Sequence, residues 1–258
     1  MGPVPFGCLE MTYLRSFLYM VAMALSTLGF GLAVALSTPI LSEARRSAMS
    51  NAWGMVNLWL LRVICGLDYR LKGWERLPEG AYIVMAKHQS AWETMALRGL
   101  LPCRQCWILK RELLRVPVFG WALASMRPIA IDRSAGSKAI KQVIAEGTAA
   151  LKEGRLVVVF PEGTRVAPGE RGKYNIGGAM LAERSGYPVV PIAHNAGVFW
   201  RRRSLVKYPG TIDVIVGPLI PTEGRRATAI IADVENWIES TVAALPQDRD
   251  GRAGGSPA

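Results

Sequence analysis

Cysteine and histidine are scarce in this chain of 258 residues, which has four cysteines and two histidines. Cys103 and Cys106 have the spacing of a redox or zinc motif, but no second cysteine pair follows them. The histidines, His88 and His194, lie elsewhere in the sequence. These shortages argue against a disulfide framework and a metal centre. We therefore expect a chain that works in a reducing cytosol and needs no metal or other cofactor.

Acidic residues are also under-represented, because 20 aspartates and glutamates oppose 31 lysines and arginines and leave a formal net charge of +11. Such a chain attracts anions, which include nucleic acid, acidic membranes and phosphorylated substrates. No recognisable nucleic-acid-binding motif is present, and 50% of the residues are hydrophobic. We therefore expect membrane lipids or a phosphorylated substrate as partners, and no nucleic acid.

Charge is absent from the stretch between Arg15 and Glu43, which is rich in leucine, methionine, alanine and valine. A helix of about 20 such residues spans a bilayer core, whereas the apolar region of a secretory signal has only about 7–15 residues. The length therefore favours an uncleaved membrane anchor over a signal peptide. Arg45 and Arg46 follow the stretch and favour a cytoplasmic exit.

A second apolar stretch, residues 52–67, is shorter and contains Trp53, Trp59 and Arg62. This mixture is typical of an interfacial helix. We expect the two stretches to form a helical hairpin that dips into one leaflet of the membrane, and a single full span is the alternative. Residues 1–70 are then a membrane-anchoring region.

Past the hairpin, short apolar runs alternate with helical patterns. Strands are predicted at 81–86, 106–109, 128–132, 156–160, 188–193 and 211–216, and helices at 137–152, near 177–184 and at 227–245. This alternation predicts an α/β fold with a mostly parallel sheet covered by helices. We expect residues 71–245 to form one domain and residues 246–258 to be a disordered tail.

His88 follows the first of these strands and precedes Glu93 by five positions. Five positions on a regular helix are about 140° apart, so the two side chains meet only if His88 precedes a helix and Glu93 lies in its first turn. Ser90 and Glu93 match a capping box with Ser90 as the N-cap. Glu93 therefore has two interpretations, as the acid that orients a catalytic base or as a helix cap.

A second motif, Phe160–Arg165, follows the apolar strand at 156–160 and reads Phe-Pro-Glu-Gly-Thr-Arg. The carboxyl ends of parallel strands share one edge of a sheet, so this turn is expected beside His88. Lys87, Lys110 and Arg133 also fall at predicted strand ends. Since arginine is well suited to bidentate phosphate contact, the cluster predicts a phosphate pocket.

These motifs, with Val190-Pro191-Ile192 further on, resemble the 1-acylglycerol-3-phosphate acyltransferases of the bacterial type, also called lysophosphatidic acid acyltransferases. The resemblance covers roughly residues 71–219. It implies the glycerolipid acyltransferase fold with an N-terminal membrane-associated helical region. It also implies the catalytic base at His88 and the positioning acid at Glu93, which is usually an aspartate in this family.

The resemblance further implies an acceptor site and a donor side. The residues matched to acceptor or phosphate binding are Arg133, Glu162, Gly163, Thr164 and Arg165, with Lys110 at a commonly basic position. Pro191 matches a motif that is associated with the donor side or with the shape of the pocket. The implied reaction moves an acyl chain from acyl-CoA or acyl carrier protein to the sn-2 hydroxyl of lysophosphatidic acid. The implied place is the cytoplasmic side of the inner membrane.

Several interpretations stay open at this point. The acceptor could be another lysolipid such as lyso-ornithine lipid, and a non-catalytic membrane lipid-binding scaffold is a rival from a different class. The segment Phe199–Arg203 combines two aromatic residues with three arginines, which is typical of an interfacial membrane patch or of a solvated basic loop. For His194 we expect a structural or pocket-wall role.

Overall fold

The computed structural model describes residues 6–102 and 104–249, and a seven-stranded sheet lies at its centre. The strands are β1 Leu67–Lys72, β2 Ile83–Ala86, β3 Gln105–Lys110, β4 Ile129–Ile131, β5 Leu156–Val159, β6 Val189–His194 and β7 Gly210–Val216. Their order in the sheet is β1-β7-β6-β2-β5-β3-β4. Every neighbouring pair is parallel except β6 with β7. The expected mostly parallel α/β sheet is confirmed.

Helices cover both faces of the sheet. They are α1 Phe6–Leu36, α2 Glu43–Cys65, α3 Trp92–Leu100, α4 Phe119–Ser125, α5 Ser137–Lys152, α6 Gly177–Ser185, α7 Ala196–Phe199 and α8 Ala227–Ala244. One hydrophobic core joins α1, α2 and α3 to the sheet, and a second core joins α5, α6 and α8 to its other face. Strands β2, β5 and β6 are buried along their whole length, as strands covered on both faces must be.

The N-terminal helices form an antiparallel hairpin, as expected. Asn57 of α2 donates to Ser26 of α1 at 3.0 Å, and Trp53 donates to Thr27 at 3.2 Å. The hairpin also packs against the sheet domain, because the Tyr19 hydroxyl reaches the Met95 sulfur of α3 at 3.3 Å. Within the described residues, α1 is the one helix long and apolar enough to cross a membrane.

The end of the hairpin differs from the expectation. Helix α2 begins at Glu43, well before the apolar stretch 52–67, and ends at Cys65. Gly66 takes the left-handed conformation with φ of 65°, which ends the helix and starts β1 one residue later. The expected boundary between residues 70 and 71 therefore falls inside β1.

Arg46, one of the two arginines that follow the charge-free stretch, is buried although it carries a charge. Its side chain donates to the carbonyl oxygens of Thr38 and Ser125, at 3.2 and 2.9 Å. It thus ties the hairpin turn to α4 and does not face solvent. Residues 250–258 of the expected tail and Cys103 of the Cys-x-x-Cys spacing lie outside the described residues.

Candidate active site

The carboxyl ends of β2, β3, β4 and β5 meet at one cavity of about 600 Å³. Four of the sequence-predicted residues lie at or just after the ends of these strands and line the cavity directly: His88, Lys110, Arg133 and Arg165. Gly163 and Thr164 line it as well. The remaining wall is largely apolar and comes from α1, α2, α4 and the aromatic rings of Trp107 and Phe160. One site therefore joins a histidine, a set of cations and an apolar chamber.

His88 and Glu93 are in direct contact. The His88 Nδ1 lies 2.8 Å from the Glu93 Oε1, and the imidazole stacks on the Phe160 ring with centroids 4.1 Å apart. A carboxylate only accepts hydrogen bonds, so Nδ1 carries the proton and donates it. In the neutral imidazole, this leaves Nε2 as the nitrogen that can accept a hydrogen bond from the cavity side.

The Glu93 carboxylate is held in its charged form. Burial by itself raises the pKa of Glu93, but the hydrogen bonds from His88 and from the Ser90 backbone outweigh it, so the pKa lies below its ordinary value. The backbone N–H groups of Gln89 and Ser90 donate to the same oxygen, each at 2.7 Å. Three donors on one oxygen fix the carboxylate against the imidazole.

The start of α3 explains how the chain reaches this geometry. The helix begins at Trp92, one residue later than a cap at Ser90 implies, and its N-cap is Ala91. Ser90 Oγ accepts from the Trp92 N–H at 3.2 Å, while Glu93 reaches back to the Ser90 N–H. His88 thus precedes the helix and Glu93 lies in its first turn. One carboxylate thus accepts from the backbone at the start of the helix and also contacts the His88 ring, so the geometry is compatible with both interpretations of Glu93.

Cations surround the opening of the cavity. This cationic rim consists of Lys110, Arg133, Arg165, Arg202 and Arg203. Arg133 donates to the Gly163 carbonyl oxygen, which joins the end of β4 to the turn after β5. The Nε of Arg165 is buried without a hydrogen-bond partner among the described residues. A buried donor of this kind is costly unless a ligand satisfies it, so the rim is suited to an anion.

Glu162 and Lys87 do not take the places expected for an acceptor site. Both side chains are fully buried, and Lys87 Nζ lies 2.8 Å from Glu162 Oε1 and 2.8 Å from Glu239 Oε1 of α8. The other oxygen of Glu162 accepts from the backbone N–H of His88 at 2.7 Å. Glu162 therefore binds the backbone of His88, and neither Glu162 nor Lys87 lines the cavity.

The buried ion pairs extend away from the cavity. Burial raises the pKa of Glu162 in spite of the adjacent Lys87. The Tyr174 hydroxyl donates to Glu239 at 2.7 Å, so the loop after the Phe160–Arg165 turn joins the same network. We name Lys87, Glu162, Tyr174 and Glu239 the buried network. It connects α8 to the backbone of His88.

His194 and Pro191 both lie in β6 and outside the cavity lining. His194 is fully buried, its Nε2 donates to the Lys87 carbonyl at 2.8 Å, and its Nδ1 accepts from the Ala196 N–H at 3.2 Å. Burial lowers the pKa of His194 and keeps it neutral. Its expected structural role is confirmed. Pro191 packs inside the sheet domain near Gly217, so it does not contact a cavity ligand directly.

The segment Phe199–Arg203 is not the exposed aromatic patch that its sequence suggested. Phe199 and Trp200 are buried, and the Trp200 ring packs edge-on against Tyr19 at 5.8 Å. Arg202 and Arg203 instead belong to the cationic rim. Sequence reasoning missed them as site residues, because α7 separates them from the carboxyl end of β6 and no strand end marks their position.

Comparison with known proteins shows extensive similarity. Residues 68–195 match the family model described as acyltransferase. The chain is 43% identical to a 1-acyl-sn-glycerol-3-phosphate acyltransferase from Pseudomonas aeruginosa over 90% of this chain and 91% of that protein. It is also 28% identical to the human 1-acyl-sn-glycerol-3-phosphate acyltransferase alpha, over 85% and 79% of the respective chains.

A solved structure matches the fold. It is the crystal structure of the 1-acyl-sn-glycerophosphate (LPA) acyltransferase from Thermotoga maritima, which superimposes with a TM-score of 0.75 at 19% identity. The match covers 90% of this chain and 94% of that one.

Proposed function

Because the chain belongs to the family of 1-acyl-sn-glycerol-3-phosphate acyltransferases, we propose that it acylates the sn-2 hydroxyl of lysophosphatidic acid and makes phosphatidic acid. The observation that carries the proposal is the contact of 2.8 Å between His88 Nδ1 and Glu93 Oε1 at a cavity rimmed by cations. The donor is an acyl thioester, either acyl-CoA or acyl carrier protein.

His88 acts as the general base. An alcohol is a weak nucleophile, and histidine accepts protons near neutral pH. Nε2 takes the proton of the sn-2 hydroxyl while the hydroxyl oxygen attacks the thioester carbonyl carbon. The carbon–sulfur bond then breaks, and the thiolate leaves with the proton from the imidazolium. The charged Glu93 stabilises the imidazolium and holds the ring with Nε2 toward the substrate.

The cationic rim positions the acceptor. Arg133 and Arg165 stand beside the turn that follows β5, and the unsatisfied Nε of Arg165 offers a donor to a phosphate oxygen. Binding of the phosphate there holds the hydroxyl near His88, which lowers the entropic barrier. A lyso-ornithine lipid has no phosphate, so this rim favours the phosphate-bearing acceptor. A scaffold without turnover would have no use for a base held by a buried carboxylate.

The hairpin suits an enzyme whose acceptor and product are lipids. Its α1 helix exposes many large apolar side chains, including Phe17 and Leu25, which are each 65% exposed. We place the enzyme at the inner membrane with its sheet domain on the cytoplasmic side. Arg45, which is exposed at the hairpin turn, supports this orientation.

The test is acyl transfer from a labelled thioester to lysophosphatidic acid in detergent, with acyl-CoA and acyl carrier protein as separate donors. His88→Ala should lower kcat by roughly 10²–10⁴-fold, since that is the usual contribution of a general base. Glu93→Gln should lower kcat strongly because the neutral amide cannot stabilise the imidazolium. Arg165→Ala should raise KM for the acceptor.

Arg201→Ala is the matched control, because Arg201 is exposed and outside the cavity lining. It should keep the KM of the wild type. Turnover by His88→Ala at the wild-type rate would remove the base assignment. Folded wild type that acylates lyso-ornithine lipid but not lysophosphatidic acid would replace the proposed acceptor.

A further inference from the structure

A short segment between β3 and α4 presents apolar side chains to solvent. Leu113 is 39% exposed, Val116 is 44% exposed and Trp121, at the start of α4, is 56% exposed. Arg111 and Arg115 are exposed on the same segment. We name residues 111–121 the apolar ledge. Exposed leucine, valine and tryptophan next to cations are typical of an element that lies at a membrane interface.

The ledge has regular secondary structure and close backbone packing, which hold its apolar side chains toward solvent. Residues Arg111–Arg115 form a 3₁₀ helix, and α4 follows after Val118. Gly120 packs directly on the backbone of Leu114, where any Cβ would collide. Val118 has a φ of 63°, which a β-branched residue adopts only when its surroundings hold it there.

The ledge is continuous with the exposed face of the hairpin. A Cβ on Gly31 of α1 would lie 2.9 Å from Val118 Cγ1, so the helix and the ledge touch at this glycine. One turn before Gly31, Leu28 is 47% exposed, and Leu25 is 65% exposed. The Arg46 side chain fastens the other end of α4 by its bond to the Ser125 carbonyl oxygen.

The active-site cavity runs beneath the line where α1 meets the ledge. From α1 it is lined by Phe30, Gly31 and Val34, and from the ledge by Leu113 and Phe119. Helix α1 and the apolar ledge are therefore the two surfaces that separate a lipid tail in the membrane from His88. We expect a tail that enters between α1 and the ledge to reach the cavity without crossing water.

We propose that the apolar ledge is a membrane-docking surface, separate from the helical hairpin, that inserts into an anionic leaflet and delivers the acceptor lipid to the cavity. Its apolar residues enter the interface and Arg111 and Arg115 contact lipid phosphates. The delivery step rests on the proposed function, whereas insertion of the ledge does not. A leaflet is the favoured occupant because the ledge continues the exposed apolar face of α1.

Insertion is tested with a fluorescent probe on a cysteine. The protein is full length with Cys8→Ser and Cys103→Ser, and an NBD label is placed on Val116→Cys or on Leu219→Cys. Leu219 is a matched control because it is also 44% exposed but lies outside the ledge. The remaining cysteines are buried, and burial raises the pKa of the Cys106 thiol to about 11, which slows its labelling.

Vesicles of phosphatidylcholine and phosphatidylglycerol should shift the emission of the label at 116 to the blue, and spin-labelled lipids should quench it. The label at 219 should stay in water. A label on Leu25→Cys of α1 reports that the protein is bound. If the label at position 116 keeps the emission of a probe in water while the label at position 25 is inserted, the proposal is overturned.

Delivery is tested with Val116→Ser/Trp121→Ser, whose residues do not line the cavity. Partition to the vesicles and kcat/KM for lysophosphatidic acid in those vesicles should fall roughly tenfold, from the loss of two buried apolar side chains. Activity with acceptor in detergent micelles should be unchanged. Leu205→Ser/Leu219→Ser is the control, and it should behave like the wild type.

The remaining outcomes separate the two proposals. If the double variant loses turnover only with acyl carrier protein as donor, in vesicles and micelles alike, the ledge docks an acidic protein and the membrane proposal is wrong. If wild type shows no turnover with any lysophosphatidic acid preparation, the proposed function fails, while the probe at 116 still decides whether the ledge inserts.

Discussion

At the residue scale, Glu93 and Glu162 show how a short motif has more than one physical meaning. Both are carboxylates next to the same histidine, and each accepts a backbone N–H bond at 2.7 Å. Glu93 also binds the imidazole, whereas Glu162 turns inward to Lys87. Motif spacing predicted that both residues belong to the site. Only the tertiary surroundings show that Glu93 contacts the imidazole of His88 while Glu162 contacts its backbone.

The buried network leads to a prediction for Glu239→Gln. In this variant Lys87 keeps only one charged partner, Glu162, so the Lys87 side chain is held less firmly beneath His88. We therefore expect kcat to fall roughly tenfold, which corresponds to about 1.4 kcal/mol. KM for the acceptor should stay constant because Glu239 does not line the cavity. Steady-state kinetics with both substrates measures the effects on kcat and on KM separately.

Glu235→Gln is the control for this prediction. Glu235 lies on the same helix and pairs with Arg171, which is 60% exposed, so loss of its charge should leave kcat unaltered. Equal kcat values for the two variants would mean that the buried network does not position the base.

At the element scale, regular patterns were predicted well and short elements were missed. The helix at 137–152 has the predicted bounds because its buried residues recur at helical spacing. Strand β1 was missed, since its sequence Leu-Asp-Tyr-Arg-Leu-Lys mixes charge with apolar residues and follows directly on an apolar helix. Helix α4 has only seven residues and no side-chain cap, so it left no local signal.

The crossing of α2 and α3 leads to a prediction about glycine. A Cβ on Gly54 would lie 2.7 Å from Gly99 Cα and 2.8 Å from the Met95 carbonyl oxygen. Gly54→Ala should therefore push the helices apart and destabilise the fold by about 1–3 kcal/mol. Thermal unfolding in detergent should show a lower Tm.

Gly29→Ala is the helical control for Gly54→Ala. No atom lies within 4 Å of a Cβ at this position, so the change should be neutral or stabilise the helix by about 0.5–1 kcal/mol. A Tm for Gly54→Ala equal to that of the wild type would contradict the close packing of α2 on α3.

At the scale of the whole molecule, the cavity combines parts that are distant in sequence. Its walls come from the hairpin, from α4 and from the loops after four strands. Ala122 of α4 lines this chamber, while Ala124, two residues later, is exposed. The depth of this chamber is therefore decided by how α4 packs on α1.

The apolar chamber leads to a prediction about chain length. Ala122→Leu should narrow it and lower kcat/KM for the longest acyl thioesters by roughly tenfold, since one or a few methylenes carry that much discrimination in an apolar pocket. Short thioesters should react as before. Ala124→Leu is the control and should keep the wild-type profile, which a panel of thioesters of increasing length measures. Identical profiles for the two variants would place the acyl chain elsewhere.

The local sequence was enough to predict the α/β alternation, the helical hairpin, the closeness of His88 to Glu93 and the cations at the strand ends. These features follow from local periodicity and from motifs a few residues long. Only the tertiary structure decided which charges face the cavity: Lys87 is paired with Glu239, 152 positions away, while Arg202 and Arg203 join the rim. The physical reason is that a buried charge must find a partner, and the partner is supplied by the packing of distant elements.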